Sequence, residues 1–134
     1  PDTPKVRSAS FYETEPVGPR RQGPFLNTVA ELTTRLEPRA LFAHCVAIER
    51  DLGRTRPDAV PKGPRTLDLD VLLYGDLRAD WPDLTIPHPR LAGRRFVLVP
   101  LAELAPDLIH PGLGRTIQGL LTRLEDAHAV RRIA

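Results

Sequence analysis

Polar and apolar residues alternate along two early stretches of the chain and again along one near its middle. In residues 6–14 and 25–34 the alternation includes aromatic and β-branched members, which predicts two strands. Residues 15–24 between them hold three prolines and two glycines, so we expect a loop that joins the strands as a wide hairpin. Residues 66–74 alternate in the same way and predict another strand.

Apolar positions at helical spacing predict two helices. The first begins at Pro38, which suits the first turn of a helix, and ends at Gly53. Its apolar stripe consists of Leu41, Cys45, Ile48 and Leu52. Packing is far more common than catalysis for a lone cysteine on such a stripe, so we expect Cys45 to face the core. Residues 116–124 predict a second, short amphipathic helix.

Length and composition are those of one globular domain. The chain has 134 residues, 41% of them hydrophobic and 27% charged, so we expect a single domain over residues 1–134 with one active site. No apolar run approaches the ~18 residues of a membrane helix, and no signal peptide precedes the first strand. The one cysteine forms no internal disulfide. We therefore expect a cytoplasmic protein with no membrane partner.

Arginine dominates the basic residues, with 17 of the 19, although the net charge is only +2. Arginine is well shaped to bind phosphate, but a biased genome also raises its frequency, so only clustered arginines carry an argument. The arginines do not form a lysine-rich patch interleaved with aromatic residues. We therefore expect no nucleic-acid partner.

Two carboxylates occupy alternate positions of the predicted strand at 66–74. Asp68 and Asp70 would then emerge on one face, where a divalent cation would relieve their repulsion. Oxygen ligands favour magnesium over zinc, and two carboxylates at this spacing suit a pair of ions. A solvated strand face is the alternative interpretation of a bare Asp-x-Asp.

Basic residues flank the two acids. Arg54, Arg56 and Arg65 lie in a short window before them, in a proline-broken loop at 54–65. Alternating acidic and basic clusters suit a metal-bound polyphosphate, although a surface network of ion pairs would have the same composition. His88, between two prolines, adds a further cationic group.

Four stretches of the chain carry a resemblance to a known family. They are Phe11 to Gly18, Phe25 to Asn27, Gly63 to Asp70, and Pro87 to Arg90 with Arg94 to Phe96. They resemble the 6-hydroxymethyl-7,8-dihydropterin pyrophosphokinases of folate biosynthesis, in the same order along the chain. The Gly-Pro-Arg-Thr-Leu-Asp-Leu-Asp stretch is the most specific of them.

The resemblance implies a fold and a reaction. The fold is α+β, a ferredoxin-like α/β sandwich with a mainly antiparallel sheet. The reaction is magnesium-dependent transfer of the β,γ-pyrophosphoryl unit of ATP to the hydroxymethyl oxygen of the pterin, which leaves AMP. The partners implied are therefore two small molecules, ATP and 6-hydroxymethyl-7,8-dihydropterin, with two Mg²⁺ ions.

The resemblance also implies roles for individual residues. Asp68 and Asp70 correspond to ligands of the two magnesium ions. The triphosphate would be bound by Arg54, Arg65, His88 and Arg94, with Arg56 a weaker candidate. Adenine would be contacted by Val71 and Thr85. The pterin would be bound by Thr14, Val17, Phe25, Asn27 and Phe96, whose aromatic rings stack on it and whose amide reads its edge. Glu49 matches an acid of the family, with a supporting role.

The chain departs from the family pattern in two places. Pro61 and Lys62 stand where the family often has an aromatic residue, so any lid over the pterin is built differently or is missing. The family begins with a strand, a Gly-Ser-Asn-Leu-Gly loop and a helix, and we expect this first β-α unit to be missing. A separate N-terminal segment or a neighbouring chain would then complete the fold, and the chain alone would turn over weakly or not at all.

Two other functions remain open from the sequence. One is a non-catalytic remnant of the same fold that binds pterin or nucleotide. The other is a basic ferredoxin-like module that binds RNA, which would need exposed aromatic residues on its sheet. Retention of both aspartates with Arg65 and His88 favours the enzyme, because a simple binding protein has no need of paired metal ligands.

Overall fold

Seven short strands and three α-helices make up the part of the chain that this computed structural model describes, residues 2–14, 25–54, 68–125 and 129–133. The chain divides into two units. The first unit comprises Pro1–Thr34 and Pro89–Ala134, and the second comprises Arg35–His88. All strand pairings in the described ranges are antiparallel, so the fold mixes α-helices with small antiparallel sheets.

The strands of the first unit form two antiparallel sheets. β1 (Lys5–Ser8) pairs with β4 (Ala30–Thr33). β2 (Tyr12–Thr14) is the centre of a three-stranded sheet, between β3 (Phe25–Asn27) and β7 (Val130–Arg132). Both hydrogen-bonding edges of β2 are therefore occupied.

The predicted strands at 6–14 and 25–34 each split in two, so their antiparallel pairing is confirmed but their continuity is wrong. The split lies where the chain passes from one sheet to the other. The Ala9 N–H donates to the Val29 carbonyl at 2.8 Å, and the Thr28 hydroxyl donates to the Ala9 carbonyl at 3.1 Å. A side-chain donor thus takes a backbone acceptor that a continuous ladder would use.

The buried apolar side chains of the first unit come mainly from its helices. α2 (Arg95–Leu104) and α3 (Ile117–Arg123) pack on each other. Their buried apolar residues include Leu98, Leu101, Ile117 and Leu120. The predicted helix at 116–124 is confirmed as α3, and the Thr116 hydroxyl caps it by accepting from the Gly119 N–H at 3.0 Å.

α2 covers the three-stranded sheet, and it contacts β2, β3 and β7. On β2, Tyr12 and Thr14 are only 7% and 5% exposed. The Glu103 carboxylate, near the end of α2, accepts from the Tyr12 hydroxyl at 2.6 Å and from the Ser10 N–H at 2.8 Å. A polar bridge therefore joins α2 to the start of the central strand.

α1 (Pro38–Arg54) is the helix of the second unit. It confirms the helix predicted from Pro38 and runs one residue beyond the predicted end. The predicted apolar stripe is only partly covered, because Cys45 is half-buried whereas Ile48 and Leu52 are 47% and 41% exposed. Leu41 and Cys45, in the first half of the stripe, are thus half-buried, and its second half is exposed. The expectation that Cys45 faces the core is met only in part.

A hairpin of β5 (Ala79–Trp81) and β6 (Leu84–Ile86) completes the regular structure described in the second unit. Arg39 of α1 ties the helix to this hairpin. Its guanidinium carbon lies 5.7 Å from the centroid of the Trp81 ring, and it forms an ion pair with Asp83 at 3.3 Å.

The strand predicted at 66–74 is wrong over residues 68–74, which are described and form no strand. Two of its backbone groups are bonded instead to a side chain and to a residue that lies outside any strand. The Leu69 N–H donates to a side chain, the Glu49 carboxylate, and the Leu72 carbonyl accepts from the His88 N–H. Alternation of side chains alone therefore did not identify a hydrogen-bonded strand.

Within the described ranges, none of the helices is both long and apolar enough to cross a membrane.

The Glu103 bridge makes the stability of the fold depend on pH. Its hydrogen bonds with Tyr12 and Ser10 hold the pKa of Glu103 below the ordinary value of 4.5. Because the folded pKa is the lower one, this contribution is present above pH 4.5 and is lost as pH falls through the folded pKa. We expect the free energy of unfolding to fall more steeply between about pH 5 and pH 3 in the parent chain than in Glu103→Gln.

Urea unfolding at several pH values measures this difference. Glu31→Gln is the matched control, since Glu31 is an exposed carboxylate of the same unit that pairs with Arg7 at 3.1 Å. Equal slopes in the parent chain and Glu103→Gln would contradict the prediction.

Candidate functional site

The two predicted metal ligands both lie at the surface of the second unit. Asp68 and Asp70 are exposed, whereas Leu69 between them is half-buried. The alternation predicted from the sequence thus holds at these three positions even though they form no strand. Both aspartates are accessible to a cation that arrives with its own ligands.

Hydrogen bonds to other parts of the second unit fix the segment 68–74 that carries the aspartates. The Glu49 carboxylate of α1 accepts from the Leu69 N–H at 3.2 Å. The Leu72 carbonyl accepts from the His88 N–H at 2.8 Å. The Tyr74 hydroxyl donates to the Leu36 carbonyl at 2.5 Å. The backbone between the two aspartates is therefore held directly by a helix side chain.

The face of α1 that carries Glu49 has an acidic environment. Burial raises the pKa of the Cys45 thiol, and the negative charges of Glu49 and Asp70 raise it further. A raised pKa disfavours the reactive thiolate, which agrees with the packing role predicted for this cysteine.

The donor set fits magnesium better than a metal held by protein alone. Among the described residues, no group of three or more His, Cys, Asp or Glu side chains is placed to hold an ion. Magnesium is commonly held by one or two carboxylates together with substrate phosphates and water, whereas structural zinc sites use four protein ligands. A pair of exposed carboxylates such as Asp68 and Asp70 matches the first arrangement.

Three predicted nucleotide-binding residues lie in the same unit as the aspartates. His88 and Val71 are half-buried. The hydroxyl of Thr85 on β6 donates to the Asp80 carboxylate of β5 at 2.9 Å. The proton of this hydroxyl is engaged within the hairpin, so an adenine contact at the hydroxyl would have to donate to its oxygen.

Two predicted pterin-binding residues are hydrogen-bonded to each other in the first unit. The Asn27 amide donates to the Thr14 hydroxyl at 3.0 Å. Thr14 is 5% exposed and Asn27 is half-buried, on adjacent strands. An amide has two N–H donors and a carbonyl acceptor, so this contact uses only part of the capacity of Asn27.

Phe96 lies in the first turn of α2, beside the predicted phosphate ligand Arg94. The guanidinium carbon of Arg94 is 5.5 Å from the centroid of the Phe96 ring, a cation–π distance. The first turn of this helix contains no acidic residue. Its N-terminal dipole and Arg94 therefore give the surroundings of Phe96 a positive potential.

Several predicted site residues fall where the structure gives no account of them. Val17, Arg56 and Arg65 lie outside the described residues. The same is true of Lys62, which stands where the family often has a lid aromatic, and of most of the predicted loops at 15–24 and 54–65. Phe25 and Arg54 have described backbones, in β3 and at the end of α1, but their side chains lie outside the described part. The roles of all five ligand candidates stay predictions.

A separate open groove runs along β1 and β4. It is lined by Pro4, Lys5, Val6, Arg7, Glu31 and Thr33. None of the predicted site residues lines it, and its two strands are exposed along their whole length. The groove is therefore distinct from the candidate site.

Sequence reasoning missed one residue at the site and understated another. Glu103 was not predicted, and the contact of Glu49 with the backbone at Leu69 was not anticipated. Each joins elements that are distant in the chain, so local pattern gives no sign of it. One signal was available for Glu103, because it lies seven residues after Phe96 and so shares its helix face.

The chain is similar to known proteins of one family. A family profile described as 7,8-dihydro-6-hydroxymethylpterin-pyrophosphokinase (HPPK) matches residues 2–106. The 2-amino-4-hydroxy-6-hydroxymethyldihydropteridine pyrophosphokinase of Pseudomonas aeruginosa is 46% identical over 121 residues, 90% of this chain and 73% of that protein.

Two further relatives differ in length from this chain. The Bacillus subtilis protein of the same name is 48% identical over 103 residues, 77% of this chain and 60% of that protein. The folic acid synthesis protein fol1 of Schizosaccharomyces pombe is 44% identical over 114 residues, 85% of this chain and 15% of that protein. The chain thus spans less than two thirds of each of these two relatives.

The acidic surroundings of Cys45 predict slow alkylation. Iodoacetamide reacts with the thiolate, so the raised pKa should make Cys45 react more slowly in the folded chain than in urea at pH 8. Asp70→Asn removes one of the charges and should speed the folded-state reaction about two- to fivefold, the size of a screened charge effect.

Mass spectrometry of timed samples gives the alkylation rates. Asp76→Asn is the control, since Asp76 is an exposed aspartate in a turn of the same unit. If Asp70→Asn and Asp76→Asn react at the same rate, Asp70 does not influence the thiol.

Proposed function

This chain belongs to the 7,8-dihydro-6-hydroxymethylpterin-pyrophosphokinase family, and from that membership we propose that it transfers pyrophosphate from ATP to 6-hydroxymethyl-7,8-dihydropterin. The membership confirms the family predicted from the sequence motifs. The proposed products are AMP and the pterin diphosphate, an intermediate of folate synthesis.

One observation carries the proposal beyond family membership. Asp68 and Asp70 are both exposed, on a segment whose backbone is held between them by the Glu49 carboxylate. The arrangement suits a site that must present two carboxylates in a fixed relation to an incoming nucleotide.

The proposed reaction makes one bond and breaks one. The pterin hydroxymethyl oxygen bonds to the β-phosphorus of ATP, and its proton is released to solvent. The bond from that phosphorus to the oxygen bridging the α-phosphate breaks, and AMP leaves. Catalysis of this kind rests on positioning and on neutralising phosphate charge, more than on covalent chemistry by the protein.

Asp68 and Asp70 would hold the magnesium, proposed as two ions. When bound, the ions supply positive charge beside the phosphate oxygens. The part that the chain itself plays is to keep both carboxylates exposed and their shared backbone fixed. Glu49 would serve this positioning role through the Leu69 N–H rather than by touching the nucleotide.

Cationic side chains would bind the triphosphate around the transferred group. Candidates are Arg54, Arg65, His88 and Arg94, with Arg56 weaker. Arg94 lies at the N-terminus of α2, where the helix dipole adds to its positive charge and no acidic residue of the first turn offsets it. This location supports its part in the set. Val71 and Thr85 are proposed to contact adenine.

The pterin is proposed to lie against residues of the first unit. Candidates are Thr14, Val17, Phe25, Asn27 and Phe96. Because Arg94 lies over the Phe96 ring, we place the pterin on the opposite face of that ring. The unused donor and acceptor capacity of Asn27 suits the edge of the heterocycle.

We also propose that the chain has the finer fold features expected from the family. These are a ferredoxin-like sandwich and a single pterin pyrophosphokinase-like domain to which both units belong. The antiparallel pairings and the covering of a sheet by α2 support the first of them.

Replacing either aspartate should stop the reaction without unfolding the chain. We expect Asp68→Asn and Asp70→Asn each to lower AMP formation by at least about a hundredfold, since a lost metal-binding carboxylate removes several kcal/mol of transition-state stabilisation. Thermal unfolding should stay near the parental midpoint because both side chains are exposed. Asp76→Asn is the control and should keep parental turnover.

Two quantities are measured: AMP release from ATP and dihydropterin in the presence of magnesium, and the binding of each ligand by calorimetry. Near-parental turnover in either variant would refute the metal assignment. A longer chain that includes the family's first strand, loop and helix, and that still binds pterin or ATP without releasing AMP, would instead favour the non-catalytic remnant.

Pterin affinity should depend on Asn27 and Phe96. We expect Asn27→Ala and Phe96→Ala each to weaken pterin binding about tenfold and ATP binding about twofold or less, because one removes an edge contact and the other a stacking face. Leu26→Ala is the matched control, since Leu26 is 61% exposed and alternates with Asn27 on β3. Calorimetry with each ligand decides, and equal losses for both ligands would rule out the pocket assignment.

A further inference from the structure

The Glu103 carboxylate is the acceptor for three donors at the start of β2. Its Oε1 accepts from the Tyr12 hydroxyl at 2.6 Å. Its Oε2 accepts from the N–H of Ser10 at 2.8 Å and from the hydroxyl of Ser10 at 3.2 Å. One side chain of α2 therefore fixes both a main-chain and two side-chain groups of the segment that enters the central strand.

These contacts continue along β2 to the proposed pterin-binding residues. Tyr12 is buried, and burial together with the neighbouring Glu103 raises the pKa of its phenol, so it stays a hydrogen-bond donor. Tyr12 lies opposite Asn27 in the sheet register. Asn27 in turn donates to Thr14, two residues beyond Tyr12 on the same face of β2.

The same helix carries Phe96 at its other end. Phe96 precedes Glu103 by seven residues, so the two lie on one face of α2, about 10 Å apart along its axis. The end of the helix has a second anchor, because the Arg7 guanidinium donates to the Leu104 carbonyl at 2.9 Å. The position of α2 along β2 therefore decides where the Phe96 ring lies relative to Thr14 and Asn27.

We infer that Glu103 is a positioning residue for the pterin site, which sets the Phe96 ring on α2 in register with Thr14 and Asn27. The inference rests on the proposed function, since it takes the pterin to be the ligand of these residues. Glu103 itself does not touch the pterin in this arrangement. It acts through Tyr12 and Ser10, by fixing the helix against the strand.

The test compares Glu103→Ala, Glu103→Gln and Tyr12→Phe with the control Glu31→Gln in the full chain. Two quantities are measured in each: the affinities for 6-hydroxymethyl-7,8-dihydropterin and ATP, and amide hydrogen exchange in β2. Glu103→Ala should weaken pterin binding about tenfold and ATP binding about twofold or less, and should speed exchange in β2 but not in α3. Glu103→Gln should recover part of the loss, because its one carbonyl oxygen can still accept from Ser10 while its NH₂ donates to the Tyr12 hydroxyl oxygen.

The outcomes separate the inference from the function on which it rests. A parent chain that does not bind the pterin refutes the proposed function, while the exchange in β2 still tests the positioning role. Should Glu103→Ala fold poorly, Tyr12→Phe carries the comparison, because it removes the hydroxyl that donates to Glu103 and should weaken pterin binding more than ATP binding. The inference is overturned if Glu103→Ala and Tyr12→Phe match Glu31→Gln in both quantities, or if they lose pterin and ATP affinity equally.

Discussion

The hydrogen bonding of β2 on both edges is the constraint on which the first unit depends. A strand whose backbone groups are all paired can be covered by a helix, whereas unpaired N–H and C=O groups would make that burial costly. β3 and β7 provide the pairing, and α2 provides the cover. Thr14 can then be buried as a polar residue because Asn27 donates to it. Among the described residues, no buried side-chain nitrogen or oxygen atom lacks a hydrogen-bond partner.

The elements that the sequence predicted well are those set by local periodicity. α1 and α3 match their predicted bounds within a residue or two, since the spacing of apolar positions along a helix is a local property. Strands depend on partners that are distant in the chain. The alternation in 6–14 therefore did not show that the chain changes sheet at Ala9, and β7 pairs with a strand about 118 positions before it.

The sequence predicted the chemical groups of the candidate site better than the contacts that hold those groups in place. Asp68 and Asp70 are exposed together as their alternate spacing indicated. The groups that hold the site lay beyond sequence reasoning, because Glu49 and Glu103 act on backbone or hydroxyl donors of other elements. The contact of Arg94 with Phe96 was likewise unforeseen, although the two residues are near neighbours in the chain.

The bond between Glu49 and Leu69 places a restriction on the sequence that is independent of side-chain identity. The donor is a main-chain N–H, which every residue except proline possesses. Leucine at this position can thus diverge to other residues that tolerate partial burial while the same donor is retained. Proline is the one residue that this bond forbids between the two aspartates. Mutational tolerance at position 69 is therefore governed by the backbone, whereas at positions 68 and 70 it is governed by the carboxylates.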